Sequence, residues 1–213
     1  MKIIIWNVQG AKKAQLQLEV GFLSRTINSD ILILTETMVN EQNAQQIIRT
    51  LGFRNFDFIL PQNHVGGIWL LWKDNNVDLD NIAKEHRAIH CSVFEKGTNK
   101  QCVVTTVYAP TQNHKKPAFW NYLKKLNESI TLSWCILGDF NEMLHPFEKI
   151  EGTQVCSSQL QRLTTFLHIV KAMMLMSKAE ISHGKNFYTA SSFMKNLIEL
   201  SLGKTVSVSS RII

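Results

Sequence analysis

Only four cysteines stand in the 213 residues, and no two of them are spaced as metal-ligand pairs are. This argues against a cysteine-built zinc site. Cys91, Cys102 and Cys135 lie in strand-like apolar runs and Cys156 lies outside them. The pattern is that of buried free thiols in a reducing compartment. No apolar run approaches the ~18 residues of a membrane-spanning helix. The apolar start, Met1 to Ile5, is too short for a signal peptide. There is no internal repeat. These absences lead us to expect one intracellular domain, nuclear or cytoplasmic. It should be a monomer with no membrane partner and no small-molecule cofactor.

Charge of one sign is in modest excess. The formal net charge is +6. It divides evenly: residues 1–173 hold 18 Lys+Arg against 15 Asp+Glu, and residues 174–213 hold 5 against 2. Half of the excess lies in the last 40 residues, so net charge gives only weak support for a nucleic-acid partner. A hydrophobic content of 45% is that of a globular chain long enough to bury a sizeable core.

Periodicity predicts strands over 2–6, 31–35, 54–60, 67–72, 87–94, 102–108 and 134–138. It predicts helices over 13–28, 41–51, 116–129 and 157–172. Leu16, Val20, Leu23 and Ile27 mark the apolar stripe of the first helix. Leu160, Leu163, Phe166, Leu167 and Val170 mark that of the last. Such stripes are core.

The string Trp134 to Glu142, WCILGDFNE, carries the most chemistry. An apolar strand ends at Gly138, and Asp139 and Asn141 follow two apart. Alternation along extended backbone sends both to one side. An anion beside a neutral amide suits a water attacking a phosphate. The carboxylate takes or orients the proton, and the amide donates to a phosphate oxygen without repelling it. Alone, the string reads equally well as a polar turn. Three other apolar strands also deliver polar groups: Asn7 after Ile3–Trp6, Glu36 after Ile31–Leu34, and Tyr108 after Val103–Val107. In layered α/β folds reactive groups collect at such strand ends.

Trp6-Asn7-Val8-Gln9-Gly10, Thr35-Glu36-Thr37, Gly66-Gly67-Ile68-Trp69-Leu70-Leu71-Trp72, Val107-Tyr108-Ala109-Pro110 and Leu137-Gly138-Asp139-Phe140-Asn141-Glu142 follow one another in a familiar order. Over residues 1–173 the chain resembles the endonuclease/exonuclease/phosphatase superfamily. Its flavour is that of the endonuclease domain of plant LINE-type (non-LTR) retrotransposon polyproteins. The resemblance implies a four-layer α/β sandwich: two mixed β-sheets face to face, helices outside, and the C-terminal strands incomplete here. It implies Mg²⁺ as cofactor, with Mn²⁺ as a substitute, held by Glu36 and Asn7. By the same resemblance Tyr108 contacts the scissile phosphate, Asp139 activates the water, and Asn141 holds Asp139 and the phosphate. Gln9 stands where several relatives have an acidic residue, which leaves the metal resting mainly on Glu36. DNA is the implied partner. His64, in the turn Asn63–Gly67, and the basic pair Lys115 and Lys116 are candidate substrate contacts. The plain alternatives are a loop histidine and a solvated helix face.

The family pattern then stops. Its Phe-Thr-Trp strand, its Leu-Asp-Arg or Leu-Asp-Tyr strand and its closing Ser-Asp-His are absent. No aspartate occurs after residue 173, and His183 is the only histidine there. A shifted reading frame accounts for this. Taking the third base of each codon with the first two of the next, Met173-Met174 must give aspartate and Met194-Lys195 must give glutamate. Ile181 to Gly184 can give Phe-Thr-Trp, and Ile198-Glu199 gives arginine or a stop. The alternative is an ordinary linker or tail. On the frameshift reading residues 1–173 are the domain, and 174–213 are a poorly ordered tail.

Two functional classes follow. One is an endonuclease-derived domain that nicks one DNA strand, degenerate because the closing motif is missing. A phosphomonoesterase on the same scaffold is its variant. The other is a non-catalytic remnant or weak nucleic-acid binder.

Overall fold

The computed structural model describes residues 1–12, 14–62, 65–85, 87–141, 172–176 and 186–190. In chain order the elements begin with β1 (Ile3–Asn7), α1 (Gln15–Ile27), β2 (Ile31–Thr35) and α2 (Glu41–Thr50). Then come β3 (Asn55–Ile59), β4 (Ile68–Trp72), β5 (Val77–Glu85), β6 (Ala88–Glu95) and β7 (Lys100–Tyr108). A single 3₁₀ turn, Asn113–Lys115, leads into α3 (Lys116–Ser129). β8 (Trp134–Asp139), β9 (Ala172–Met176) and β10 (Asn186–Ala190) follow.

The strands form two five-stranded sheets, ordered β10-β1-β2-β4-β3 and β5-β6-β7-β8-β9. Both are mixed. β1 and β2 run parallel in the first; β7, β8 and β9 run parallel in the second. The remaining neighbours are antiparallel.

The near-continuous apolar strands are explained by two covered faces. Ile3, Ile5, Ile31, Ile33, Ile68 and Leu70 meet Ile89, Cys91, Val104, Cys135 and Leu137 between the sheets. The alternate residues Ile4, Trp6, Leu32, Leu34, Trp69 and Leu71 pack under Leu16, Val20 and Leu23 of α1 and Ala44 and Ile48 of α2. On the far side Trp134 and Ile136 of β8 pack under Phe119, Trp120 and Leu123 of α3. Helix, sheet, sheet and helix make the four layers expected. Each fully buried Ile or Leu contributes about 1.5–3 kcal/mol, so the site-bearing strands are firmly anchored.

The structure differs from the sequence reading in three places. β5 has no counterpart among the expected strands. Only its Val77 and Leu79 are buried, and a bulge between Asp80 and Ala83 breaks its alternation. An edge strand with one half in water has little hydrophobic period to read. α1 is shorter at both ends than expected and closes on Asn28 in the left-handed region, φ 48°. Ala172, the last residue of the helix expected over 157–172, instead opens β9, whose Met173-Met174-Leu175 pair with Cys135, Ile136 and Leu137. The expected helix over 157–172 falls outside the described residues save Ala172, the first residue of β9. Cys91, Cys102 and Cys135 are buried free thiols, as expected; Cys156 is outside the described residues. No helix among the described residues is long and apolar enough to cross a membrane.

Candidate active site

Two parallel strand pairs, one from each sheet, end side by side. In the first, Asn7 is registered with Thr35, and Glu36 follows at once. In the second, Tyr108 is registered with Asp139. Parallel pairing brings the carboxyl ends of both strands to the same edge, and two hydrogen bonds then cross between the sheets. The Asn7 amide Nδ2 donates to Asp139 Oδ2 at 3.1 Å. The Tyr108 hydroxyl donates to Glu36 Oε1 at 3.3 Å. Asn7, Glu36, Tyr108, Asp139 and Asn141 are thereby collected in one place.

Asn141 joins them by a different route from the one its spacing suggests. Its φ is 48°, left-handed, so it lies in a turn and not on extended strand. The turn is held from within. Asn141 N–H donates to Asp139 Oδ1 at 2.9 Å, and its Nδ2 donates to the Ala109 carbonyl at 2.7 Å. Glu36 is also left-handed, φ 55°. Its conformation is fixed by a neighbouring loop: Gly10 N–H donates to the Glu36 carbonyl at 2.7 Å, with Val8 on Thr35 and Ala11 on Thr37 to either side. Left-handed non-glycine residues persist where the surroundings over-determine them.

Gly138 is the backbone requirement of the site. Its φ is +138°, and a Cβ there would lie 2.0 Å from the Val107 carbonyl oxygen. Only glycine lets β8 pass so close to β7 one residue before Asp139. Gly66 has a related role, since a Cβ there would lie 2.9 Å from the Tyr108 ring.

The site is electrostatically lopsided. Burial raises the Asp139 carboxyl above its ordinary pKa, and the charge of Glu36 raises it further. The Asn141 N–H, the Asn7 amide and the Lys116 charge pull the other way. Tyr108, 4% exposed, is pushed up to about 12 by burial, by the charges of Glu36 and Asp139, and by donating to Glu36. It therefore stays a neutral donor. Two carboxylates sharing a partly buried space favour an incoming cation. The donor set suits a hard ion: the Glu36 carboxylate and the Asn7 amide oxygen, with room in its shell for water and substrate oxygens. Mg²⁺ needs only one or two carboxylates of this kind. Among the described residues no group of three or more His, Cys, Asp or Glu could hold a metal, so a closed protein cage is not what these residues make.

The candidate substrate contacts fare differently. His64 is outside the described residues. Lys115 is exposed on the 3₁₀ turn. Lys116 is 3% exposed, not on a solvated face, and its Nζ donates to the Asn141 carbonyl. Gln9 is exposed, and its N–H donates to Asn7 Oδ1 at 3.2 Å. One neighbour escaped the sequence reading. The Arg87 guanidinium stands over the Tyr108 ring at 5.8 Å, and its Nη1 lies 3.5 Å from the Tyr108 carbonyl. The pairing of Ala88 with Val107 puts Arg87 there, a signal available only once register is known.

No family model matches the chain, and neither does any curated protein. Solved structures do. The AP endonuclease LMAP from Leishmania major is similar with a TM-score of 0.59 at 13% identity, over 89% of this chain and 79% of that one. An AP endonuclease from Archaeoglobus fulgidus gives 0.58 at 17%, over 79% and 70%. The 3′ phosphatase NExo from Neisseria, bound to a product DNA hairpin, gives 0.58 at 15%, over 92% and 88%. Identities this low show the fold alone. The shared fold is an α/β sandwich of two mixed sheets, and the structural neighbours are members of the endonuclease/exonuclease/phosphatase superfamily.

Proposed function

We propose that the chain is a DNA phosphodiesterase domain of LINE-endonuclease type that keeps the water-activating half of its site and works slowly. The observation that supports this best is the pair of cross-sheet hydrogen bonds, Asn7 to Asp139 and Tyr108 to Glu36. They gather at one edge the residue types that phosphodiester hydrolysis needs.

Asp139 is the proton acceptor for the attacking water. A raised carboxyl pKa brings it closer to the range where a general base works near neutrality. Asn141, whose Nδ2 gives one hydrogen to the Ala109 carbonyl, has its second amide hydrogen for a phosphate oxygen. Tyr108 donates from a phenol that stays protonated. Glu36 and Asn7 Oδ1 would hold Mg²⁺, which when bound polarises the phosphoryl group and stabilises the leaving oxyanion. DNA as substrate draws on the DNA-related neighbours, two AP endonucleases and a phosphatase holding a DNA hairpin. The LINE-type origin rests on the order of the five sequence motifs.

The slow rate is what the shifted-frame reading leads us to expect, since the codons after 173 would then no longer encode the family's last strands and the Ser-Asp-His whose histidine contacts the scissile phosphate in the resembled family. Losing one such electrostatic contact costs about 10²–10³ in rate. The test is nicking of supercoiled plasmid in Mg²⁺ beside an Asp139→Ala control. We expect a small margin over the control. Fast nicking that vanishes in Asp139→Ala would overturn the degenerate half-site. Equal rates would overturn catalysis altogether. Sequencing the genomic DNA across the codons from 168 onward tests the frameshift: Ser-Asp-His should appear when the frame is restored.

A further inference from the structure

Lys116 occupies a position that helix physics disfavours. It is the first residue of α3, where the aligned peptide dipoles present positive charge. The first turn of α3 holds no acidic residue to offset it. The side chain is also taken out of water, with 3% of the residue exposed. A buried ammonium at a helix N-terminus is doubly unfavourable unless local acceptors compensate. One acceptor is the Asn141 carbonyl, to which Nζ donates.

The same helix grips the turn one residue earlier. Phe140, 1% exposed, stacks on Trp120 with ring centroids 5.9 Å apart and planes 9° from parallel. Trp120 lies one turn on from Lys116, on the same helix face. Pro117 sets the helix start and so the place from which the lysine reaches. α3 thus holds the Asp139–Asn141 turn by an apolar contact at Phe140 and a charged one at Asn141. Ring stacking fixes the distance of the turn from the helix. The charged bond fixes the direction of the Asn141 carbonyl, and with it the left-handed backbone at φ 48°.

We infer that Lys116 is a positioning residue: its ammonium clamps the Asn141 carbonyl and so aims the Asp139 and Asn141 side chains into the site. This takes over the reading of those two residues as the reacting half-site. It replaces a phosphate contact for Lys116 with a role behind the reacting groups.

Lys116→Met keeps the length and apolar stem and removes the charge; Lys116→Arg keeps the charge. Both are made in the full chain. Amide hydrogen exchange at Asn141 should quicken about tenfold in Lys116→Met, with Ile4 and Ile33 unchanged, because only a local opening is eased. Lys116→Arg should bring it back to within about threefold, since guanidinium also donates to a carbonyl. Any margin of nicking over Asp139→Ala should disappear in the methionine variant and return in the arginine one. The salt slope of duplex DNA binding should stay the same, whereas loss of a phosphate contact would lower it by about one.

An unchanged Asn141 exchange rate, a uniform rise over the whole chain, or a fall in salt slope would each overturn the inference. If the unaltered chain nicks no faster than Asp139→Ala, the functional reading fails, and the exchange data still decide the clamp. A measurement on the unaltered chain covers the case of a variant that does not fold. The Lys116 ammonium should give a resolved NMR signal with slow proton exchange, and rapid exchange would overturn the clamp.

Discussion

At the scale of single residues, His90 is an electrostatic feature outside the site that bears on stability near neutral pH. It is buried in the second sheet, with Nδ1 against Thr105 Oγ1 at 2.9 Å and Nε2 against the Tyr122 hydroxyl of α3. Trp134 Nε1 donates to the same Thr105 oxygen at 2.8 Å. Burial lowers the His90 pKa from 6.5 to about 4. Between those values the unfolded chain binds a proton that the folded chain refuses. Stability is therefore full above pH 6.5, falls as the pH drops towards 4, and levels off below. The difference is on the order of 3 kcal/mol. Unfolding free energies from urea titrations at pH 7.5 and 4.5 should differ by most of that amount. In His90→Gln most of the pH dependence should vanish, at some loss of stability at pH 7.5 from the disturbed Thr105 and Tyr122 partners. An equal pH dependence in both chains would mean that carboxylates, not His90, set the acid limb.

Between residue and site stand the strands, and their legibility was uneven. β1, β2, β4 and β8 were readable because both faces are covered, which turns each into an unbroken apolar run such as Ile31–Leu34. α3 was readable from its stripe, with bounds matching those expected. β5 was not, since its period of two runs only over Val77–Asp80, four residues, before the bulge between Asp80 and Ala83 breaks it. For the site, the residue types at four strand ends are legible in the sequence alone. What the sequence could not supply was the means of convergence. Alternation suggested that Asp139 and Asn141 project together; the structure achieves it with a left-handed turn. Lys116 looked like a solvated cation because helical periodicity does not say where the chain turns next. Gly138 gives the element-level test. Gly138→Ala adds a left-handed strain and a clash with Val107, together about 3 kcal/mol. Thermal melting should show it, whereas Gly97→Ala, where a Cβ meets open space, should change little. Equal effects would mean that the close approach of β7 and β8 is not structural.

For the whole molecule the arrangement of the sheets makes Asn7 and Asp139 dependent on distant sequence. β1 is flanked by β10 and β8 by β9. On the frameshift reading these covers were not selected for the places they occupy, and their hold should be weak. Amide exchange across residues 186–190 should then be at least about tenfold faster than across 134–138, the difference between a local and a global opening. Equal protection would show that β10 is a built part of the sheet and would remove the ground for a shifted frame.

The consequence reaches beyond one copy of the chain. On that reading, any lifting of β9 or β10 would uncover a row of unpaired backbone N–H and C=O groups along Trp134–Leu137 or Ile3–Trp6, flanked by apolar side chains. Such a row is a template for another strand. β5 at the opposite margin is spared this by its bulge and its charges. Self-association should therefore begin at the strands that carry the reacting groups, at a pace set by how often their covers open. The lifetime of the chain in solution and the lifetime of its active site would then be one quantity.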